Sequence, residues 1–329
     1  MGRKVNAKPT STTFKTGVTV GKFNPPHLGH LHLIATAAKQ VETLYVLVCH
    51  KEGQINAKTR ASWLEAAAPP NCRFVITGDD LPEAPEPWAQ RAKELIPAKI
   101  EIAFTSEEYG VAWAAAMNAE HHCVDLERST YPVSASRIKN NPIDNFKYLV
   151  PAARSALCKR FVLAGPESSG KTTLAKALAD SLDTAWVPEY GRLYCDGRGL
   201  SNEWNDHEFS HIAQTQQSMI DALAHHANNG VLISDTDALV TRVWQKRYLP
   251  HTTPIALPSV EHYYFVCDPV PWKQDGTRES EQFRDQMLSD TLDLITQQNT
   301  AYTQLQGNHE ERLQTALKVI KTLTRDLLS

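Results

Sequence analysis

The chain of 329 residues lacks the marks of several large protein classes. It has 6 cysteines, Cys49, Cys72, Cys123, Cys158, Cys195 and Cys267, and no two form a C-x-x-C pair. Such scatter argues against a zinc or disulfide framework and suits a reducing compartment. No apolar run reaches membrane-spanning length, and the opening residues have no apolar signal core. The expectation is a cytoplasmic protein with no membrane partner. An excess of one charge is also missing. The 34 Lys and Arg nearly balance 37 Asp and Glu, for a net charge of −3, so no general nucleic-acid-binding surface is expected. Hydrophobic residues make up 42% and charged residues 22%, an ordinary globular balance at a length sufficient for two domains. Residues 1–15 read as a flexible polar tail.

What is present is organised around Gly165–Thr172, which reads GPESSGKT. It fits G-x-x-x-x-G-K-[ST], a phosphate-binding loop. Arg160–Ala164 reads as a buried strand entering the loop, and the residues from Thr172 read as an amphipathic helix leaving it. Glycines let successive N–H groups converge on one centre, and the helix N-terminus adds partial positive charge. Gly165, Glu167, Ser168, Ser169, Gly170, Lys171, Thr172 and Thr173 are therefore the expected ATP-binding set. Lys171 reaches the phosphates and Thr172 offers a hydroxyl to Mg²⁺.

A second phosphate-binding pattern stands near the start. The strand Gly17–Val20 leads into Gly21, Lys22, Phe23 and then His27-Leu-Gly29-His30, followed by a helix and another buried strand at Thr43–Cys49. A β-loop-α-β order places this loop at the carboxyl end of a parallel sheet, where such sheets bind ligands. His27 and His30, three apart at a helix start, can both face one phosphate, and Gly29 lets it approach the backbone. Farther on, Val133–Lys139 places Ser134 as the cap of a short helix that also carries Ser136, Arg137 and Lys139. Asp79, after a strand at Phe74–Thr77, lies at the ligand edge or in a turn. Trp88 either stacks on a flat ring or anchors a loop.

In the second half, Gly230–Ser234 reads as a strand ending at Asp235, followed by Asp237. A carboxylate at the end of an apolar strand downstream of a phosphate loop suits a Mg²⁺-positioning acid. Further on, a loop rich in Pro and Gly carries Trp272 and Arg278, with Arg278 suited to cover a phosphoryl group in transfer. Strands recurring between helix-like segments predict α/β architecture: two doubly wound parallel-sheet domains, Rossmann-like over 16–154 and a P-loop domain over 155–329. Predicted elements include a strand at Asp183–Pro188, a long helix at Asp206–Asn228 and a C-terminal helix around Glu310–Leu328.

GKFNPPHLGH resembles the G-x-F-x-P-x-H-x-G-H signature of the nucleotidylyltransferase superfamily. Val133–Lys139 is similar to that superfamily's second signature, I-S-x-[ST]-x-I-R, with Lys139 where the terminal Arg stands. Arg137 is the alternative cation. The second half, through GPESSGKTT, EYGRLY at 189–194, SDTD at 234–237 and WKQDGTR at 272–278, resembles the ribosylnicotinamide kinase domain of the bifunctional NadR family. That family joins the two domains in this order, and the resemblance covers roughly residues 16–328.

The resemblance implies two reactions: ATP and nicotinamide mononucleotide (NMN) giving NAD and diphosphate, and ATP and ribosylnicotinamide giving NMN and ADP, both with Mg²⁺. His27, His30, Lys171, Asp235 and Arg278 would be the catalytic set, and Thr172 and Asp235 the metal-facing pair. Asp79, Trp88, Glu189, Tyr190, Arg192, Asp237 and Trp272 are the candidates for substrate contacts. The residues before the first strand are too few for the helix-turn-helix domain that some family members carry, so the implication excludes DNA binding. Two alternatives remain: the same chemistries on another nucleoside and another phosphorylated acceptor, or a low-turnover sensor of ATP or NAD. A homo-oligomer is left open.

Overall fold

The computed structural model describes residues 14–198, 203–249, 251–257, 261–269, 283–325 and 327. The chain forms two units. One runs to Asn141 and takes in Tyr148–Ala153, and the other comprises Pro142–Lys147 and the chain from Arg154 onward.

In the first unit, β1 (Phe14–Gly21), β2 (Val41–His50), β3 (Cys72–Gly78), β4 (Ile102–Thr105) and β5 (Glu120–Cys123) form one sheet in the order β3-β2-β1-β4-β5. Every pairing is parallel, with Val18 opposite Tyr45 and Ala103. Parallel strands need crossovers, and helices at Leu28–Ala38, Ala57–Glu65, Pro85–Leu95 and Gly110–Met117 supply them. Covered on both faces, β2 is apolar almost throughout, with Leu44, Val46, Leu47 and Val48 buried. The strand order reverses between β1 and β4, which opens a crevice beyond the carboxyl ends of those strands.

In the second unit, β6 (Lys159–Ala164), β7 (Trp186–Val187), β8 (Val231–Asp235), β9 (His262–Cys267) and β10 (Tyr302–Leu305) pair in parallel in the order β10-β9-β6-β8-β7. Alternation along β6 divides the core. Phe161 and Leu163 pack with Leu178, Ile233 and Ile320 on one face, while Val162 and Ala164 pack with Val243, Val266 and Ile295 on the other.

Two doubly wound parallel sheets are the architecture expected from the sequence. Some elements are shorter than predicted. The strand at Asp183–Pro188 contracts to Trp186–Val187, because Asp183 takes a left-handed φ of 49° that closes the preceding helix. The long helix stops at Ala224 rather than Asn228, and the C-terminal helix spans His309–Leu323. No described helix is long and apolar enough to cross a membrane, and all six cysteines are free.

Candidate active sites

The first site begins where β1 ends at Gly21. His27 caps the helix Leu28–Ala38 in an unusual way: its Nδ1 accepts the His30 backbone N–H at 3.3 Å, and the His30 Nδ1 accepts the His27 N–H at 3.2 Å. The two rings stack with centroids 3.5 Å apart, and Phe23 meets His30 edge-on at 4.9 Å. A Cβ at Gly29 would lie 3.1 Å from the His27 ring, so glycine leaves this approach open. With both Nδ1 atoms accepting, each neutral ring carries its proton on Nε2. Burial, reinforced by the Arg128 charge, pushes the His27 pKa down to about 3. Burial, then His27 and Arg128, hold His30 well below its ordinary value. At neutral pH the pair therefore offers two uncharged N–H donors.

A cleft of about 780 Å³ opens on this pair. Gly21, Lys22, Phe23, His27, Gly29 and His30 line it from one end of the unit's sequence, and Ser134, Ser136 and Lys139 from the other. Asp79 and Trp88 line it as well. Lys22 Nζ lies 3.1 Å from Asp79 Oδ2, while Trp88 donates its Nε1–H to the Pro82 carbonyl at 3.1 Å. Ser134 caps the helix Ala135–Asn140, its Oγ accepting the Arg137 N–H at 3.1 Å. Of the two candidate cations on that helix, Lys139 lines the cleft. The Arg137 guanidinium instead donates to the Pro132 carbonyl at 2.7 Å.

Arg128 and Tyr131 also line the cleft, although the sequence reading assigned them no role. Asp125 shapes their loop by accepting Ser129 N–H and Oγ–H, both at 2.8 Å, and Thr130 N–H at 3.0 Å. Those bonds, the Ser129 hydroxyl first, hold its carboxyl at about 2. The spacing of Asp125 from Ser129 and Thr130 was the available sequence signal.

The second site lies at the end of β6. Gly165 has φ 125°, and a Cβ there would come within 2.5 Å of the Cys267 carbonyl oxygen, so only glycine fits. Ser168 and Gly170 are also left-handed, and Gly170 precedes the helix Lys171–Leu182. The Pro166 carbonyl accepts from Ser169 Oγ at 2.8 Å and from Lys171 Nζ at 2.9 Å. Thr172 Oγ1 donates to Asp235 Oδ2 at 2.5 Å. Asp235 Oδ1 is buried with no hydrogen-bond partner among the described residues. Burial raises the Asp235 carboxyl above its usual range, with Lys171 and the Thr172 bond pulling the other way.

Glu189 faces the same cations. Burial raises its carboxyl, Lys171 opposes the rise and Asp235 adds to it. Arg192 Nε lies 3.9 Å from Glu189 Oε2. Gln216, which the sequence reading overlooked, holds this stretch. Its Oε1 accepts the Tyr190 N–H at 2.8 Å, and its Nε2–H donates to the Pro188 carbonyl at 3.2 Å. The Tyr190 hydroxyl lies 3.1 Å from His211 Nε2. Glu167 lies within the loop itself, and Thr173 lies in the first turn of the helix Lys171–Leu182.

Asp237, a candidate for nucleoside contact, is committed inside the fold. It is buried, and its Oδ1 caps the helix Ala238–Tyr248 by accepting the Leu239 and Val240 N–H groups. Its Oδ2 lies 2.9 Å from His262 Nδ1 and accepts the Tyr264 hydroxyl at 2.5 Å. Trp272 and Arg278 lie outside the described residues.

Comparison with known proteins places these sites in context. Residues 18–141 match the cytidylyltransferase-like family model, and residues 160–312 match an AAA domain model. The chain is 25% identical to the trifunctional NAD biosynthesis/regulator protein NadR of Escherichia coli (strain K12), over 90% of this chain and 77% of that protein. It is 26% identical, with the same coverages, to the protein of that name from Salmonella typhimurium. Two solved structures share the fold over nearly the whole chain. A NadR protein in complex with NAD and AMP-PNP has a TM-score of 0.70 at 21% identity, covering 95% of this chain and 98% of its own. A NadR protein in complex with NR has a TM-score of 0.71 at 21% identity, covering 96% and 97%.

Proposed function

We propose that this chain, a homologue of the NadR proteins, is a bifunctional enzyme of NAD biosynthesis working in the cytoplasm. The first unit joins ATP and NMN into NAD and diphosphate. The second transfers the γ-phosphoryl group of ATP to ribosylnicotinamide, giving NMN and ADP. The observation that carries this reading is the meeting, in one cleft, of Lys22, His27 and His30 with Ser134 and Lys139 from the far end of the unit's sequence. It is joined, in the other unit, to a P-loop whose Thr172 touches Asp235. The likeness to the NadR proteins over most of the chain supplies the substrates.

In the adenylyl transfer, a phosphate oxygen of NMN attacks the α-phosphorus of ATP. The bond from that phosphorus to the bridging oxygen breaks, and diphosphate leaves. No side chain needs to act as nucleophile. His27 and His30 donate Nε2–H bonds to phosphate oxygens as charge builds there, while Lys22, Lys139 and the helix start at Ser134 hold the anionic chain. Rate enhancement then comes from positioning and from fixed donors rather than from proton transfer.

In the phosphoryl transfer, the 5′-hydroxyl of the nucleoside attacks the γ-phosphorus and ADP departs. Lys171 and the loop amides hold the phosphates. Asp235 is tied to Thr172, which leaves Glu189 to receive the hydroxyl proton, a role its raised pKa suits. Mg²⁺ fits here: Thr172 Oγ1 and the buried carboxylate of Asp235, with its free Oδ1, are adjacent hard oxygen donors. Bound there, the ion would supply positive charge to the β- and γ-phosphates.

Incubation of the chain with ATP, Mg²⁺ and ribosylnicotinamide, followed by chromatography, tests the reading. NMN appears first and NAD follows. Absence of NMN, or accumulation of NMN without NAD under excess ATP, would rule out one of the two assignments.

A further inference from the structure

The helix His309–Leu323 carries Arg312 in its first turn, and this guanidinium is buried, at 5% exposure. Among the described residues, its hydrogen bonds all go to main-chain carbonyls. Nε–H donates to Gly307 O at 2.9 Å, and Nη1–H donates to Asp268 O at 3.0 Å and Ser169 O at 2.9 Å. It forms no ion pair with a carboxylate among the described residues. A buried cation with no counter-charge is costly to the free protein. An anion brought to the same place recovers part of that cost.

The position of one of those carbonyls gives the arrangement its meaning. Ser169 O and the Gly170 N–H belong to a single trans peptide, so they point in opposite directions. Drawing the carbonyl toward Arg312 aims the amide to the other side, into the cradle that precedes Lys171. The other anchors of the loop agree. The Pro166 carbonyl is held by Ser169 Oγ and Lys171 Nζ, and the Gly165 backbone packs against the Cys267 carbonyl at the end of β9. Arg312 thus joins three segments: the phosphate loop, the residue following β9 and the turn before its own helix.

We propose that Arg312 is a positioning residue of the second site. It fixes the Ser169–Gly170 peptide with its N–H toward the phosphates of a bound nucleotide, and its charge stands behind the loop as part of the field those phosphates meet. The proposal rests on the assignment of the second unit as an ATP-dependent kinase.

The test compares Arg312→Met and Arg312→Lys in the full chain by steady-state kinetics, varying ATP and ribosylnicotinamide separately. Arg312→Met is expected to raise the kinase KM for ATP about tenfold or more, the scale of losing a charged hydrogen bond. The KM for ribosylnicotinamide stays close to that of the parent, and adenylyl transfer is unaffected. Arg312→Lys recovers part of the ATP affinity. An ATP KM within about twofold of the parent in a folded Arg312→Met protein would overturn the proposal. If Arg312→Met does not fold, Arg312→Lys is read by the same criterion. If neither folds, Arg312 is a determinant of folding and the proposal fails. Calorimetric titration with ADP, using Lys171→Ala to identify the site, separates this from the substrate assignment. Weaker ADP binding in Arg312→Met supports the role of Arg312 even where ribosylnicotinamide is not phosphorylated, and unchanged ADP binding overturns it.

Discussion

His27 and His30 cap one helix for each other, each ring Nδ1 accepting the other residue's backbone N–H at 3.3 and 3.2 Å. The local helix start thereby sets the tautomer of both rings, and both Nε2–H groups are left for a ligand. Burial keeps the His27 ring neutral down to about pH 3. In ¹H–¹⁵N spectra of the ligand-free chain, both residues are expected to give the neutral Nε2–H tautomer across pH 5–8. Addition of ATP should move the His27 titration upward, because phosphate charge favours imidazolium. The stability consequence has a definite sign. The unfolded chain takes up a proton near the ordinary pKa of about 6.5, before the native ring does. This residue therefore costs stability increasingly as pH falls from there toward its native value. A His27 signal titrating near 6.5 in the free protein would contradict this arrangement.

Lys139 and Arg137 sit two residues apart on one short helix and differ in placement: Lys139 lines the cleft while Arg137 turns to Pro132. Lys139→Ala is expected to raise the adenylyltransferase KM for ATP about tenfold, and Arg137→Ala to change it less than about twofold. Initial rates at varied ATP decide between them.

The parts of the site most legible in the sequence were those built from contiguous backbone. The two phosphate motifs each follow a strand and open a helix, so their residue types and spacing carried both geometry and location. What stayed hidden depended on partners distant in sequence. Asp235 and Asp237 alternate on an extended segment, both buried, and nothing local says which meets the phosphate loop and which is taken up by the fold. The answer lies with His262 and Tyr264 on β9. Arg60 lies in a polar helical stretch whose sequence suits a solvated side chain, yet it is buried and donates to the Ile55 and Cys49 carbonyls. Gln216 looks like one more polar residue on a long helix until the loop before Tyr190 folds back upon it. Asp183 and the end of the long helix show the ordinary limit of periodicity, which finds a helix but not its last turn.

Asp237 gives a stability prediction. It caps a helix and accepts from the Tyr264 hydroxyl, and His262 faces it at 2.9 Å, all inside the fold. Asp237→Ala would strand those buried groups. A loss of about 3 kcal/mol or more is expected for the second unit, measured by denaturant unfolding with adenylyl transfer largely preserved. A variant with parental stability and a raised KM for ribosylnicotinamide would instead assign this carboxylate to the substrate.

The acid side of the kinase pH profile follows from Asp235. Burial raises its pKa, and the protonated acid has lost the negative charge with which it would serve a cation. The kinase kcat/KM should therefore fall, as pH is lowered, at a higher pH than the usual carboxylate value of about 4. The same shift has the opposite sign for stability. A raised native pKa means that this group's contribution is present in acid and is lost as pH rises through that value. A kinase profile flat down to the ordinary carboxylate range would contradict the burial argument.

The most direct test of two separate phosphate sites on one chain is the pair His30→Ala and Lys171→Ala, each assayed for both reactions. Removing one fixed donor or cation is expected to lower its own reaction about a hundredfold or more. His30→Ala should then make NMN but little NAD, and Lys171→Ala should make NAD from supplied NMN but little NMN from ribosylnicotinamide. Mixing the two proteins should restore the conversion of ribosylnicotinamide to NAD. Loss of both reactions in each folded variant would contradict the account.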